Sequence, residues 1–122
     1  MIKRIHHADI IISRGCEGKA RKFYCEVLGL KEIEKPDLLK RNGGLWLELG
    51  LFQIHLSIEK EEGVNPIKTK AHIAYEVENL DELKKQLSSH KINTVMNKPI
   101  PGFIRCNARD PFGNRIEFLQ QV

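Results

Sequence analysis

Apolar and polar residues alternate over short stretches, and the alternation gives way twice to a helical period. His7-Ala8-Asp9-Ile10-Ile11-Ile12 reads as a strand opening on a histidine, and His72-Ile73-Ala74-Tyr75-Glu76-Val77 has the same form later in the chain. A helix follows each. In the first, Ala20, Phe23, Tyr24, Val27 and Leu28 make one apolar face, which Gly29 terminates. In the second, Asn79 is an N-cap with Glu82 three residues on, and Leu80, Leu83 and Leu87 form the buried stripe.

Three short strands are expected after each helix: 30–34, 45–49 and 52–58 in the first half, and 94–96, 103–108 and 115–120 in the second. Each half is therefore βαβββ, an α+β arrangement. Its last two strands form a hairpin, turning near Gly50, beside the unusual turn residue Leu51, and at Gly113-Asn114. Glu61-Glu62-Gly63-Val64-Asn65-Pro66 reads as the linker between a module at about 4–60 and one at about 70–121, within a single domain of 122 residues.

Strand side chains alternate between faces, so the face away from the helix can be read for chemistry. Gln53, His55 and Ser57 share it on one strand, opposed by Ile54, Leu56 and Ile58. Trp46 and Glu48, then His72, Ala74 and Glu76, then Arg115 and Glu117 fall on the same side of theirs. A single histidine on such a face is more often solvated than a ligand. Here the candidates recur at matching places: His7 and His72 open the first strand of each module, and His55 and Glu117 lie in the last. If the modules pack as a symmetric pair, all four side chains can point into one cup, and imidazole nitrogen with carboxylate oxygen suits zinc, nickel, cobalt, manganese or iron.

Composition changes little. With 41% hydrophobic and 30% charged residues the chain is an ordinary soluble globular protein. The formal charge of +4 is spread among acids, as in Lys31-Glu32-Ile33-Glu34-Lys35, which argues against a nucleic-acid surface. The N-terminal apolar run is too short for a signal peptide or membrane span, and Cys16, Cys25 and Cys106 match neither a disulfide framework nor a metal motif, so a cytoplasmic location is expected.

At this point the chain resembles the vicinal oxygen chelate superfamily, which includes glyoxalase I, extradiol dioxygenases, fosfomycin-modifying enzymes, methylmalonyl-CoA epimerase and bleomycin-resistance proteins. The resemblance rests on the segments 5–10, 20–24, 28–30, 53–56 and 71–74, and most specifically on Asp110-Pro111-Phe112-Gly113-Asn114-Arg115-Ile116-Glu117-Phe118. It implies two βαβββ modules forming a curled, incomplete barrel around a divalent metal, commonly in a homodimer. It also implies His7, His72 and Glu117 as metal ligands, with His55 standing where glyoxalase I usually carries a glutamate. His6 is expected on the face opposite His7.

The expected function is that of a metal-dependent lyase, isomerase or transferase on a small oxygen-rich molecule, with Glu117 left to move the proton. The alternatives are a metal-free ligand-sequestering protein of the same fold and an Fe(II) extradiol-type dioxygenase, whose open positions a fourth ligand at His55 would crowd. Trp46 and Arg105 are candidate substrate-binding residues; packing at a dimer interface and plain surface charge are their alternative readings.

Overall fold

The computed structural model describes residues 1–59 and 69–122, so the expected linker at 61–66 lies outside the described residues. The chain divides into two compact units, Met1–Val64 and Asn65–Val122.

The first unit contains β1 (His7–Ile12), α1 (Glu17–Arg21) continuing as a π-helical turn over Lys22–Val27, then β2 (Lys31–Ile33), a 3₁₀ segment (Asp37–Asn42), β3 (Leu45–Leu49) and β4 (Phe52–Ile58). Its strands run in the order β1-β4-β3-β2. β1 is parallel to β4, and β2-β3-β4 is an antiparallel meander. A parallel pair needs a long crossover, which the helix and the two intervening strands supply.

The second unit repeats the plan with β5 (His72–Glu76), α2 (Leu80–Ser89), β6 (Val95–Met96), β7 (Phe103–Arg109) and β8 (Arg115–Gln121). Its strand order is β5-β8-β7-β6, with β5 parallel to β8. Neither sheet closes on itself, so both are open mixed sheets, as the α+β pattern predicts.

Most of the residues expected to face the helices are buried, although Leu49 is exposed and Leu28, Ile58, Ile73, Val77 and Leu83 are half-buried. Ala20, Phe23, Tyr24 and Val27 are sequestered in the first unit along with Leu45, Leu47, Ile54 and Leu56 from the sheet. Each such aliphatic side chain contributes about 1.5–3 kcal/mol on leaving water. Leu80, Leu87, Cys106, Ala108, Ile116 and Phe118 are buried in the second.

Local chemistry explains the element ends. Asn79 caps α2 by accepting from the Glu82 amide at 3.0 Å, as the sequence predicts, and Gln120 on β8 accepts from the Leu80 amide at 2.7 Å, tying the helix start to the sheet. The first helix departs from expectation. It widens to a π turn, with the Leu28 amide reaching the Phe23 carbonyl at 3.0 Å, before Gly29 at φ +81° ends it.

The 3₁₀ segment was not foreseen in a stretch with no clear period. At its end Gly44 has φ +81°, and a Cβ there would collide with the Leu56 carbonyl oxygen, so only glycine lets the chain enter β3 this close to β4. The strands 30–34 and 94–96 are shorter than expected, reduced to Lys31–Ile33 and Val95–Met96.

The β7–β8 loop is built around Asp110. This buried carboxylate accepts from the amides of Phe112 (2.9 Å) and Asn114 (2.8 Å) and from the Asn114 side chain (2.8 Å). The turn therefore spans five residues rather than the two of Gly113-Asn114, and it sets the position at which β8 begins.

Candidate functional site

The polar face of the first sheet carries an aromatic stack. His55 on β4 pairs in register with Asp9 on β1 and Trp46 on β3. Its ring lies against His7 (centroids 4.0 Å apart, planes 18° from parallel) and against Trp46 (4.0 Å, 1°). His55 is buried, and one ring nitrogen, Nε2, lies 2.9 Å from Gln53 Oε1, a partner the sequence reading did not single out although Gln53 shares its face. Burial is the main cause, and the neighbouring His7 the second, that hold the His55 imidazole below its usual pKa; Asp9 opposes them. Ser57, two residues on, donates to Asp9 Oδ2 at 2.6 Å.

His6 falls just before β1, where strand alternation has not begun. Its Nδ1 is 2.9 Å from His7 Nδ1, so the two rings touch edge to face instead of standing on opposite faces.

In the second unit, His72 on β5 and Glu117 on β8 occupy adjacent strands, His72 beside Arg115 and Glu117 beside Ala74 in register. The Lys70 carbonyl lies 2.9 Å from His72 Nδ1. A carbonyl can only accept, so Nδ1 carries the proton and the lone pair of the neutral ring sits on Nε2. That nitrogen is 3.9 Å from Glu117 Oε2, too long for a hydrogen bond. The two atoms face one another without a bond between them, and imidazole nitrogen and carboxylate oxygen are donor types that a first-row divalent cation accepts.

The other Glu117 oxygen is occupied. Arg105 Nη1 donates to Oε1 at 2.7 Å, and Arg105 Nε donates to the Lys98 carbonyl at 2.9 Å, which fixes the guanidinium. Glu117 is buried, and a buried carboxylate needs such a partner.

Beside it, Asn107 pairs in register with Glu117 and donates to Asn97 Oδ1 at 2.9 Å. Asn107 Oδ1 and Asn97 Nδ2 are then left buried with no partner among the described residues. Neither asparagine was singled out in the sequence. Asn107 lies on the Arg105 face of its strand, and that alternation was the signal available.

Each unit thus brings together its own share of the expected residues, His7, His55 and Trp46 in one and His72, Arg105 and Glu117 in the other. The donor types fit a divalent ion. The two imidazoles of the first unit are stacked, so their in-plane lone pairs run side by side, and sharing an ion requires one ring to turn. Within either unit, no group of three or more His, Cys, Asp or Glu side chains is assembled for a metal among the described residues.

With this fold and these two clusters, comparison with known proteins is specific. The model of the Glyoxalase/Bleomycin resistance protein/Dioxygenase superfamily matches residues 4–118, and the chain belongs to that superfamily. Over its full length it is 38% identical to a glyoxalase family protein from Bacillus anthracis, covering 98% of that chain with a TM-score of 0.89. A glyoxalase family protein from Enterococcus faecalis is 26% identical, with 96% and 97% of the two chains covered and a TM-score of 0.75. The fold is also that of a genomically encoded fosfomycin resistance protein from Listeria monocytogenes, at 14% identity over 100% of this chain and 96% of the other, TM-score 0.77. No curated protein matches the chain by sequence. Among the described residues, no helix is long and apolar enough to cross a membrane.

Proposed function

We propose that the protein is a metal-dependent enzyme, a lyase, isomerase or transferase, acting on a small oxygen-rich substrate, with His7, His55, His72 and Glu117 as ligands. The observation that carries this reading is the state of His72: its Nδ1 proton is committed to the Lys70 carbonyl, which leaves Nε2 as a lone-pair donor 3.9 Å from Glu117 Oε2. A second-shell contact of this kind is what orients a ligating imidazole. A bound divalent ion would supply Lewis acidity, worth several kcal/mol toward charge developing on a substrate oxygen.

The remaining roles belong to the chain. Arg105 holds Glu117 by Oε1 and leaves Oε2 toward His72. Glu117 is the proposed proton carrier as well as a proposed ligand. Trp46 offers a flat wall to the substrate. We further propose a homodimer in the cytoplasm. The short edge strand β6 exposes Val95 and Met96, and Cys16, Cys25 and Cys106 are free thiols.

Metal analysis of untagged protein purified without chelator tests the reading. About one divalent ion per chain is expected, with retention abolished in His72→Ala. Wild-type protein that stays metal-free after incubation with zinc, nickel, cobalt, manganese and iron would overturn it.

A further inference from the structure

The first unit contains a cavity of about 460 Å³ lined by Arg14, Lys35 and Arg41, with Trp46, His55 and Asp9. Its cations come from three separate places: the turn after β1, the segment after β2, and the 3₁₀ segment. Nothing in their sequence spacing connects them.

Their charges are not spent on carboxylates. Lys40 takes both nearby acids, Glu34 at 2.8 Å and Asp37 at 2.9 Å. Asp9, the acid of the cavity, accepts from Ser57. Lys35 Nζ donates to the Gly43 carbonyl, which anchors the ammonium without neutralising it. Among the described residues, no ion pair involves Arg14, Lys35 or Arg41. Three cations against one carboxylate, in a concave setting with an indole in its wall, form a positive site that focuses its field on an oxyanion. Two guanidiniums add forked donors suited to phosphate-like oxygens.

We propose that this cavity binds a compact divalent oxyanion, a phosphate-like group of the substrate, and that Arg14 and Arg41 are its specificity-determining residues. The assignment rests on reading this polar face as the substrate side, but it does not require a metal. His55 and Trp46 belong both to the cavity and to the aromatic stack, so an anion held by the arginines sets the rest of the substrate against that stack.

Trp46 is the single tryptophan, so its fluorescence reports this cavity. The experiment titrates inorganic phosphate into full-length protein freed of metal by chelator and dialysis, with acetate and chloride at matched ionic strength as controls and calorimetry as a second readout. The expected result is saturable binding of phosphate, stronger than acetate and absent for chloride. Arg14→Gln and Arg41→Gln should each weaken it about fivefold to tenfold, in line with the loss of one charge-assisted hydrogen bond. Lys19→Gln, an exposed residue of α1 carrying the same charge change outside the cavity, should leave it unchanged.

Absence of saturable phosphate binding by both readouts overturns the proposal, as does equal binding of acetate, equal loss in Lys19→Gln, or no loss in either arginine variant. Because metal is removed beforehand, failure here is separate from failure of the metal reading, which metal analysis decides.

Discussion

Trp46 and His55 face each other from neighbouring strands with ring centroids 4.0 Å apart and planes within 1° of parallel. A neutral imidazole stacks on an indole without desolvating a charge, whereas an imidazolium in the same buried place would lose hydration. Burial first, then the charges of His7, His6 and Lys35, keep the ring below 6.5, against the pull of Asp9.

The sign of the pH dependence follows. Above pH 6.5 the ring is neutral folded or unfolded and costs nothing; as pH falls through 6.5 the unfolded chain takes up a proton that the folded chain resists, so stability drops. In metal-free protein the thermal midpoint is expected to fall over this window, and His55→Gln should flatten the slope. An unchanged slope in that variant would remove His55 as the cause.

Poor glyoxalase I activity is expected. Two histidines and two glutamates around a divalent ion sum to zero, whereas the proposed ligand set of His7, His55, His72 and Glu117 would sum to +1. The proposed set also has one fewer carboxylate to carry a proton, and general acid–base catalysis contributes about 10²–10⁴-fold. Isomerisation of the methylglyoxal–glutathione hemithioacetal should be slow in wild type and faster in His55→Glu, each loaded with nickel, cobalt or zinc. Fast wild-type turnover, or a His55→Glu variant that binds metal and substrate yet gains nothing, contradicts the argument.

Asp110→Ala should destabilise the protein by about 2–4 kcal/mol, because the amides of Phe112 and Asn114 lose a buried acceptor together. Asp110→Asn keeps one carbonyl oxygen and should cost less. Urea denaturation compares them, and equal loss in both would show that the charge rather than the acceptor count is what the loop requires.

A homodimer is expected in light scattering at micromolar concentration, closed twofold pairing being the commonest soluble assembly. Charged replacement of Val95 or Met96 on the exposed edge strand should shift it toward monomer. A wild-type protein that is monomeric at those concentrations sinks this expectation and leaves the fold untouched.

The periodicity alone was enough to derive βαβββ twice, the Asn79 cap and the face each strand buries, because these depend on residues within a few positions of one another. Alternation put His55, Trp46 and Glu117 on faces opposite the core for the same reason. Tertiary structure decided what those side chains touch. Arg105 is tied to Glu117 through the pairing of β7 with β8, and Trp46 to His55 through the pairing of β3 with β4. The gathering of Arg14, Lys35 and Arg41 around one cavity depends on where the 3₁₀ segment turns, and that turn depends on Gly44 passing the Leu56 carbonyl, a contact across strands that no local pattern encodes. His6 shows the limit from the other side: it lies one residue before β1, and although its carbonyl accepts from the Gln53 amide at 3.2 Å, its ring meets that of His7 instead of standing on the opposite face.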